Sequence, residues 1–168
     1  MFHDILPGYI CLDEYILTEY MRQCVYNCDM AARQRPFNME RFFQALGDNT
    51  RLRLLNLMGD QELCVCYFVE ILGQPQPKIS RHLAYLRNAG VVTARRDGKW
   101  MHYRIVTPPN EGAAQVLQQI LHWLKEEKAM QADTAKLTKA CCMPEKFVGL
   151  QGVPLPTAIG LFPILASR

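Results

Sequence analysis

The chain of 168 residues lacks any apolar run that approaches the roughly 20 residues needed to cross a membrane. Its first eleven residues contain neither lysine nor arginine, so the pattern of a secretory signal peptide is missing. Charged residues make up only 21% of the chain and hydrophobic residues 49%, which is typical of a globular protein rather than a disordered one. We therefore expect a cytoplasmic protein with one domain of ordinary size and extensions.

The formal net charge is only +3, and it is unevenly distributed along the chain. Residues 39–108 carry ten basic and six acidic side chains, whereas residues 1–38 carry three basic and five acidic ones. A polyanion such as DNA is therefore expected to contact the middle segment.

The odd number of cysteines argues against a disulfide framework. In a chain without an export signal, thiols are more often buried core residues, metal ligands or redox sensors. The seven cysteines are Cys11, Cys24, Cys28, Cys64, Cys66, Cys141 and Cys142.

Composition and helix-breaking residues divide the chain into three parts. Residues 1–38 are an extension that we expect to be partly helical, because Asp13 can cap a helix and Pro36 ends the segment. Residues 39–128 are expected to form the main domain. Residues 129–168 are expected to be a flexible, cysteine-containing tail, polar at first and rich in glycine, proline and apolar residues after Glu145.

The main domain reads as short helices followed by a β-hairpin. Apolar spacing and glycine or proline stops predict helices over residues 39–46, 50–58, 64–72 and 77–88, with Phe42, Phe43 and Leu46 facing the core. Asp97-Gly98 is typical of a two-residue hairpin turn, and Asn110 can cap a helix of about 20 residues. The fold class is therefore mainly α with a small β-hairpin, arranged as a winged helix-turn-helix.

The helix over residues 77–88 is the predicted recognition helix, and the hairpin is the predicted wing. Leu83 and Leu86 should face the core, which leaves polar side chains that can contact base edges or phosphates. The predicted DNA-binding residues are Gln76, Lys78, Ser80, Arg81, His82 and Tyr85 on the helix and Arg95, Arg96 and Lys99 on the wing.

The order of these motifs resembles the ArsR/SmtB family of metal-sensing repressors. The similar segments are FQALGDNTRLRLL over residues 43–55, ISRHLAYLRNAGVV over residues 79–92 and RRDGKWMHYRI over residues 95–105. The resemblance covers about residues 39–127. It implies a homodimer, built from the first and last helices near 39–46 and 111–128, that binds palindromic double-stranded operator DNA and leaves it when metal binds.

The segment from Glu62 to Cys66 resembles the family's thiolate site for arsenite, antimonite, cadmium or lead. A helix N-terminus stabilises thiolates, which are the species that bind soft metals. On a regular helix, however, Cys64 and Cys66 would lie about 200° apart, so both can bind one ion only if the first turn is irregular. We hypothesise that ligand binding distorts this helix and thereby reorients the recognition helix.

A third ligand is needed for a three-sulfur arsenic site. The family's arsenic-sensing version has a third cysteine five residues after the first, but here that position is Val69. Cys141 and Cys142 are the first candidates for further metal ligands, and Cys24 and Cys28 are the second. Because the family's cadmium and lead sensors take cysteines from an N-terminal arm, Cys11, Cys24 and Cys28 support that alternative.

The sequence thus predicts a repressor that is released from operator DNA when As(III) or Sb(III) binds to cysteine thiolates. The alternatives are a Cd(II)- or Pb(II)-responsive repressor of the same fold and a thiol redox regulator. A winged helix that binds protein instead of DNA would show no salt-dependent affinity for a duplex. An enzyme is not expected, since no catalytic signature accompanies Cys64 with His82 or His102.

Overall fold

The computed structural model describes residues 37–156, and the structural statements below refer to these residues. The chain divides into two units, residues 1–36 and residues 37–168. The predicted helix capped by Asp13, together with Cys11, Cys24 and Cys28, lies outside the described residues, as do residues 157–168.

The described residues form six α-helices and one three-stranded antiparallel sheet in the strand order β1-β3-β2. The helices are α1 (Met39–Leu46), α2 (Asn49–Met58), α3 (Val65–Leu72), α4 (Gln76–Asn88), α5 (Glu111–Leu124) and α6 (Lys128–Cys142). The strands are β1 (Leu63–Cys64), β2 (Val92–Asp97) and β3 (Trp100–Ile105), and two 3-10 turns follow at Pro144–Lys146 and Val148–Leu150. The mainly helical winged-helix prediction is confirmed. Over residues 37–156, no helix is both long and apolar enough to cross a membrane.

Helices α1, α2 and α5 begin at residues whose side chains cap them. In each case a side-chain oxygen accepts a hydrogen bond from the backbone N–H three residues later, which stabilises a helix by about 1 kcal/mol. The three caps are Asn38 to Arg41 at 2.8 Å, Asp48 to Arg51 at 3.0 Å and Asn110 to Ala113 at 3.0 Å.

The hairpin forms as predicted, with its turn displaced by one residue. Asp97 pairs with Trp100, so Gly98 and Lys99 are the two loop residues. Gly98 has a φ of +56° at the first loop position, where glycine is favoured because it lacks a Cβ.

The core lies between the helices and the inner face of the sheet. Leu83 and Leu86 are fully buried, which confirms their predicted orientation. Phe42 and Leu46 also face inward, but Phe43 is 52% exposed, and its predicted inward orientation is wrong. Successive side chains on a helix point about 100° apart, so Phe42 is buried in the core while the neighbouring Phe43 is exposed.

The segment after Glu127 differs from the expected flexible tail. Helix α5 ends at Leu124 after 14 residues, and α6 packs against α2 and α3. Arg53 on α2 forms a bidentate ion pair with Asp133, with N–O distances of 2.6 and 2.8 Å. The buried stripe of α6 is Met130, Asp133, Leu137 and Ala140. The charged Asp133 interrupts the apolar pattern of this stripe, so the helical period of α6 is not evident in the sequence. Arg53, the partner of Asp133, lies 80 residues earlier.

Candidate DNA-binding surface and thiol site

Helices α3 and α4 form the predicted helix-turn-helix. Gly73, with a φ of +60°, ends α3 in the left-handed conformation, and Pro75 and Pro77 lie at the start of α4. Ile79, Leu83 and Leu86 anchor α4 in the core. The opposite face exposes Gln76, Lys78, Arg81 and Tyr85 to solvent.

Two other predicted DNA-binding residues of α4, Ser80 and His82, are partly covered. The His82 Nδ1 atom lies 3.4 Å from Asp48 Oδ1, at the N-cap of α2. Burial lowers the pKa of His82, and the nearby Asp48 carboxylate opposes this shift. His82 therefore contacts α2 as a mainly neutral imidazole at pH 7.

Tyr85 is held by a cation–π contact. The Arg51 guanidinium lies 5.1 Å from the centre of the Tyr85 ring and donates hydrogen bonds of 2.6 Å to the carbonyls of Ala45 and Gln44. Arg51 thereby ties the end of α1 to the exposed face of the recognition helix.

The wing carries all three predicted basic residues on its exposed surface, but they are not equally free. Arg95 pairs with Glu62 at 2.9 Å and with Asp97 at 3.2 Å, so its charge is largely neutralised. Arg96 donates to the Gly98 carbonyl at 2.9 Å. The Lys99 ammonium lies 4.7 Å from the centre of the Trp100 ring.

The cysteine pair lies where β1 passes into α3. Cys64 has extended backbone angles (φ −68°, ψ 145°) as the N-cap of α3, and it pairs with His102 of β3. The predicted helical position of Cys64 is therefore wrong, because pairing with β3 draws it out of the helix. Cys66 lies in the first helical turn, and the two thiols are joined by a hydrogen bond. The two thiols can meet because Cys64 lies outside the regular helix.

The two thiols have different proton affinities. Hydrogen bonding from Cys66 lowers the pKa of Cys64 to about 7, opposed by burial and assisted by the backbone N–H groups of Cys66, Met101 and Val65. The same hydrogen bond and burial raise the pKa of Cys66. Near neutral pH the pair therefore holds a thiolate at Cys64 that accepts a hydrogen bond from the Cys66 thiol.

Tyr67 and Cys141 lie beside this pair. The Tyr67 side chain is fully buried, and its hydroxyl has no hydrogen-bond partner among residues 37–156. Burial raises the Tyr67 pKa to about 12, with further contributions from the charges of Cys141, Cys64 and Cys66. Burial, helped by Cys142, raises the pKa of Cys141 to about 11, so its sulfur is protonated at neutral pH.

The four predicted metal-ligating cysteines do not form one cluster. Cys141 is partly buried on α6, whereas Cys142 is exposed. No group of three or more His, Cys, Asp or Glu side chains in the described part of the chain is close enough to hold a metal ion. The structure thus joins Cys64 with Cys66 and leaves Cys141 on the neighbouring helix.

Three features of the site were not predicted from the sequence. They are the short strand β1, the unpartnered Tyr67 hydroxyl, and His102, which lies opposite both Cys64 and Arg95 on the central strand. The sequence indicated only the strand on which His102 lies, through the strong β pattern of residues 100–105. A two-residue strand has no period of its own, and its partner is found only in the folded chain.

Comparison with known proteins identifies the family. A family described as "Bacterial regulatory protein, arsR family" matches residues 48–94. The arsenical resistance operon repressor of Escherichia coli (strain K12) is 41% identical over 101 residues, which cover 60% of this chain and 85% of that protein. The arsenic resistance transcriptional regulator ArsR1 of Pseudomonas putida is 50% identical over 64 residues, 38% of this chain and 50% of that protein.

Solved structures give a weaker likeness. The antimony-specific transcriptional repressor AntR is 31% identical with a TM-score of 0.41, covering 51% of this chain and 75% of that one. The repressor BigR from Xylella fastidiosa is 23% identical with a TM-score of 0.44, covering 66% and 96%. Both scores are low, so the assignment rests on the sequence comparisons. Because it covers 85% of a repressor to which it is 41% identical, the chain belongs to the ArsR family of DNA-binding transcriptional regulators.

Proposed function

We propose that the protein represses transcription from an operator and is released from this DNA when trivalent arsenic or antimony binds to Cys64 and Cys66. The observation that carries the proposal is the convergence of two thiols, one of them with a pKa of about 7, at the start of the helix that precedes the recognition helix. Arsenic(III) and antimony(III) are thiophilic, and the thiolate is the species that binds them.

The choice of metalloid over divalent metal rests on the number of sulfurs. A cadmium or lead site with four sulfurs would need two cysteines in addition to the pair, either Cys141 and Cys142 or cysteines from residues 1–36. Two relatives named for arsenical or arsenic resistance are 41% and 50% identical to this chain, whereas a Staphylococcus aureus relative named for cadmium resistance is 33% identical. The higher identities favour the metalloid. Cadmium and lead therefore remain the alternative inducers.

Cys141 is the best remaining candidate for a third sulfur. Its helix packs against α3, the helix that carries Cys66, and its side chain is partly buried. Cys142 follows on the exposed end of α6, from which it would have to swing inward. We propose attachment through Cys64 and Cys66 as the minimum, with Cys141 and Cys142 as ligands to be tested.

We propose that α4 enters the major groove and that the wing contacts phosphates. The free, exposed side chains of Gln76, Lys78 and Arg81 support base and phosphate contacts at the N-terminal end of α4. Ser80, His82 and Tyr85 lie on the same helix, and Arg95, Arg96 and Lys99 on the wing. Arg95 must exchange Glu62 for a phosphate before it contributes.

We propose a homodimer formed through α1 and α5, since repressors of palindromic sites need two copies of the recognition helix. Large apolar side chains are exposed on both helices: Met39 at 63% and Phe43 at 52% on α1, and Trp123 at 59% on α5. Exposed apolar side chains of this size favour burial against another chain.

Strand β3 supports a route from the thiols to the wing. Cys64 pairs with His102, and the Met101 N–H stabilises its thiolate. The residue two positions before Cys64, Glu62, holds Arg95. A metalloid at the pair would therefore change hydrogen bonds of β3 and the position of the wing as well as α3.

The test is operator release, followed by fluorescence anisotropy of labelled duplex DNA. Arsenite and antimonite should release the wild-type protein but not the Cys64→Ser or Cys66→Ser variants, while Arg81→Ala should bind arsenite normally and bind DNA weakly. Loss of release in Cys141→Ser or Cys142→Ser would assign the third sulfur. Release by cadmium or lead alone, or by oxidant in metal-free buffer, would contradict the metalloid proposal and favour the corresponding alternative.

A further inference from the structure

Tyr67 is a buried residue whose hydroxyl is unused. Its side chain is fully buried, yet the hydroxyl has no hydrogen-bond partner among residues 37–156. Buried hydroxyls are nearly always paired, because an unpaired one costs free energy of folding that phenylalanine would avoid. The unpaired hydroxyl is explained if a ligand supplies the missing hydrogen-bond acceptor.

The surroundings of this hydroxyl point to the thiol site. Tyr67 lies three residues after Cys64, the N-cap of α3, and α3 packs against α6, the helix that carries Cys141. Tyr67 directly follows Cys66 in the first turn of α3. A phenol hydroxyl is protonated at physiological pH and can therefore donate a hydrogen bond.

Arsenous acid retains an oxygen when only two thiols bind it. Cys64 and Cys66 would form two As–S bonds and break two As–O bonds, and the two hydroxyl groups leave as water with protons from the thiols or, for the thiolate, from solvent. Arsenic stays trivalent and keeps one hydroxyl group. The described residues bring no third sulfur into the same group, so this hydroxyl is not displaced within the arrangement seen.

We propose that the Tyr67 hydroxyl donates a hydrogen bond to the hydroxyl group that remains on arsenous or antimonous acid bound to Cys64 and Cys66. Tyr67 is then a specificity-determining residue: it favours trivalent oxyacids over ligands that present no oxygen after two thiols have bound. The inference rests on the proposed binding of a metalloid to the cysteine pair, and it extends that proposal from the two sulfurs to the third position.

The test compares two ligands on two proteins by titration calorimetry of the full-length chain. Tyr67→Phe should weaken arsenite binding roughly ten-fold, the loss expected for one hydrogen bond. A trivalent monomethyl arsenical keeps a methyl group instead of a hydroxyl after reacting with two thiols, so its affinity should be unchanged. Tyr103→Phe removes the same atom from another buried tyrosine and should leave the affinity for both ligands unchanged.

Stability supplies a second readout. Because the hydroxyl has no partner, Tyr67→Phe should melt at the same temperature as the wild type or higher in the absence of arsenite. Unchanged arsenite affinity in Tyr67→Phe, or an equal loss for both arsenicals, would overturn the inference. A loss in Cys141→Ser as large as in Cys66→Ser would also overturn it, since sulfur would then hold the third position. Failure of the wild type to bind arsenite would instead contradict the proposed function.

Discussion

At the scale of single residues, the two cysteines are made unequal by their backbone. Cys64 lies in extended backbone where three N–H groups reach its sulfur, whereas Cys66 lies in the helix and supplies the thiol hydrogen bond. One proton is therefore shared by two sulfurs, and the pair presents a nucleophilic thiolate near neutral pH. Chemically identical residues two positions apart thus have different roles.

This difference predicts a pH dependence that ultraviolet thiolate absorbance can measure. In the wild type, one thiolate should appear with a midpoint near pH 7. Cys66→Ala removes the donor that holds the Cys64 pKa down, so the midpoint should move upward, toward the ordinary value for a thiol of about 8.5. Cys142→Ala, at the exposed end of α6, is the control and should leave the first midpoint unchanged. A midpoint that stayed near 7 in Cys66→Ala would refute the shared proton.

At the scale of elements, β3 joins the thiol site to the wing. It is the central strand, with β1 on one side and β2 on the other. His102 lies opposite Cys64 in one pair and opposite Arg95 in the other. Glu62 completes the connection by neutralising Arg95, so the wing's charge depends on the segment that carries the thiols.

The Glu62–Arg95 ion pair predicts a gain in DNA affinity. Glu62→Gln should free the Arg95 guanidinium for a phosphate and raise operator affinity by up to about five-fold, the value of an exposed ion pair. The salt dependence of binding should become steeper, since one more phosphate is contacted. Asp60→Asn removes the same charge from an exposed residue nearby and serves as the control. Equal gains in both variants in anisotropy titrations would mean that only net charge matters.

At the scale of the whole molecule, α6 turns the C-terminal segment into part of the core. It lies against α2 and α3, and its Asp133 is 2% exposed where it meets Arg53. Asn56 adds hydrogen bonds to the Met130 carbonyl at 3.0 Å and to Thr134 at 3.2 Å. The helix that carries Cys141 is thus fixed to the helix that precedes β1.

Breaking this connection should destabilise the protein. Asp133→Ala should lower the free energy of unfolding by about 2–3 kcal/mol, less than for a fully buried pair because Arg53 is partly exposed. Glu40→Ala breaks an exposed hydrogen bond to Gln44 and should change stability by less than about 0.5 kcal/mol. Urea unfolding measures both. A loss for Asp133→Ala no larger than that for Glu40→Ala would show that α6 is only loosely held.

The exposed apolar residues of α1 and α5 predict how two copies associate. Phe43→Asp and Trp123→Asp should each shift the proposed dimer to monomer in sedimentation experiments, because a charge would be buried in the interface. Val148, which is 83% exposed on the C-terminal segment, provides the control. Val148→Asp should remain dimeric. Dissociation by Val148→Asp, with Phe43→Asp intact, would move the interface to that segment.

The sequence alone was sufficient for the elements that local chemistry specifies. Gly73 and Pro77 punctuate the helix-turn-helix, and Asp97-Gly98 predicts the hairpin to within one residue, because capping and turn preferences act over a few neighbouring positions. The recognition helix and its inward-facing leucines follow from helical periodicity. The motif order was equally sufficient to suggest the family.

Only the tertiary structure decided how the thiols meet and where the C-terminal segment lies. Cys64 leaves the helix because β1 pairs with β3 some 40 residues later, and α6 docks because Asp133 meets Arg53, 80 residues earlier. Likewise, the exposure of Phe43 and the unpartnered Tyr67 hydroxyl depend on what packs around each side chain. Such contacts join residues that are distant in the chain, so no local sequence pattern predicts them.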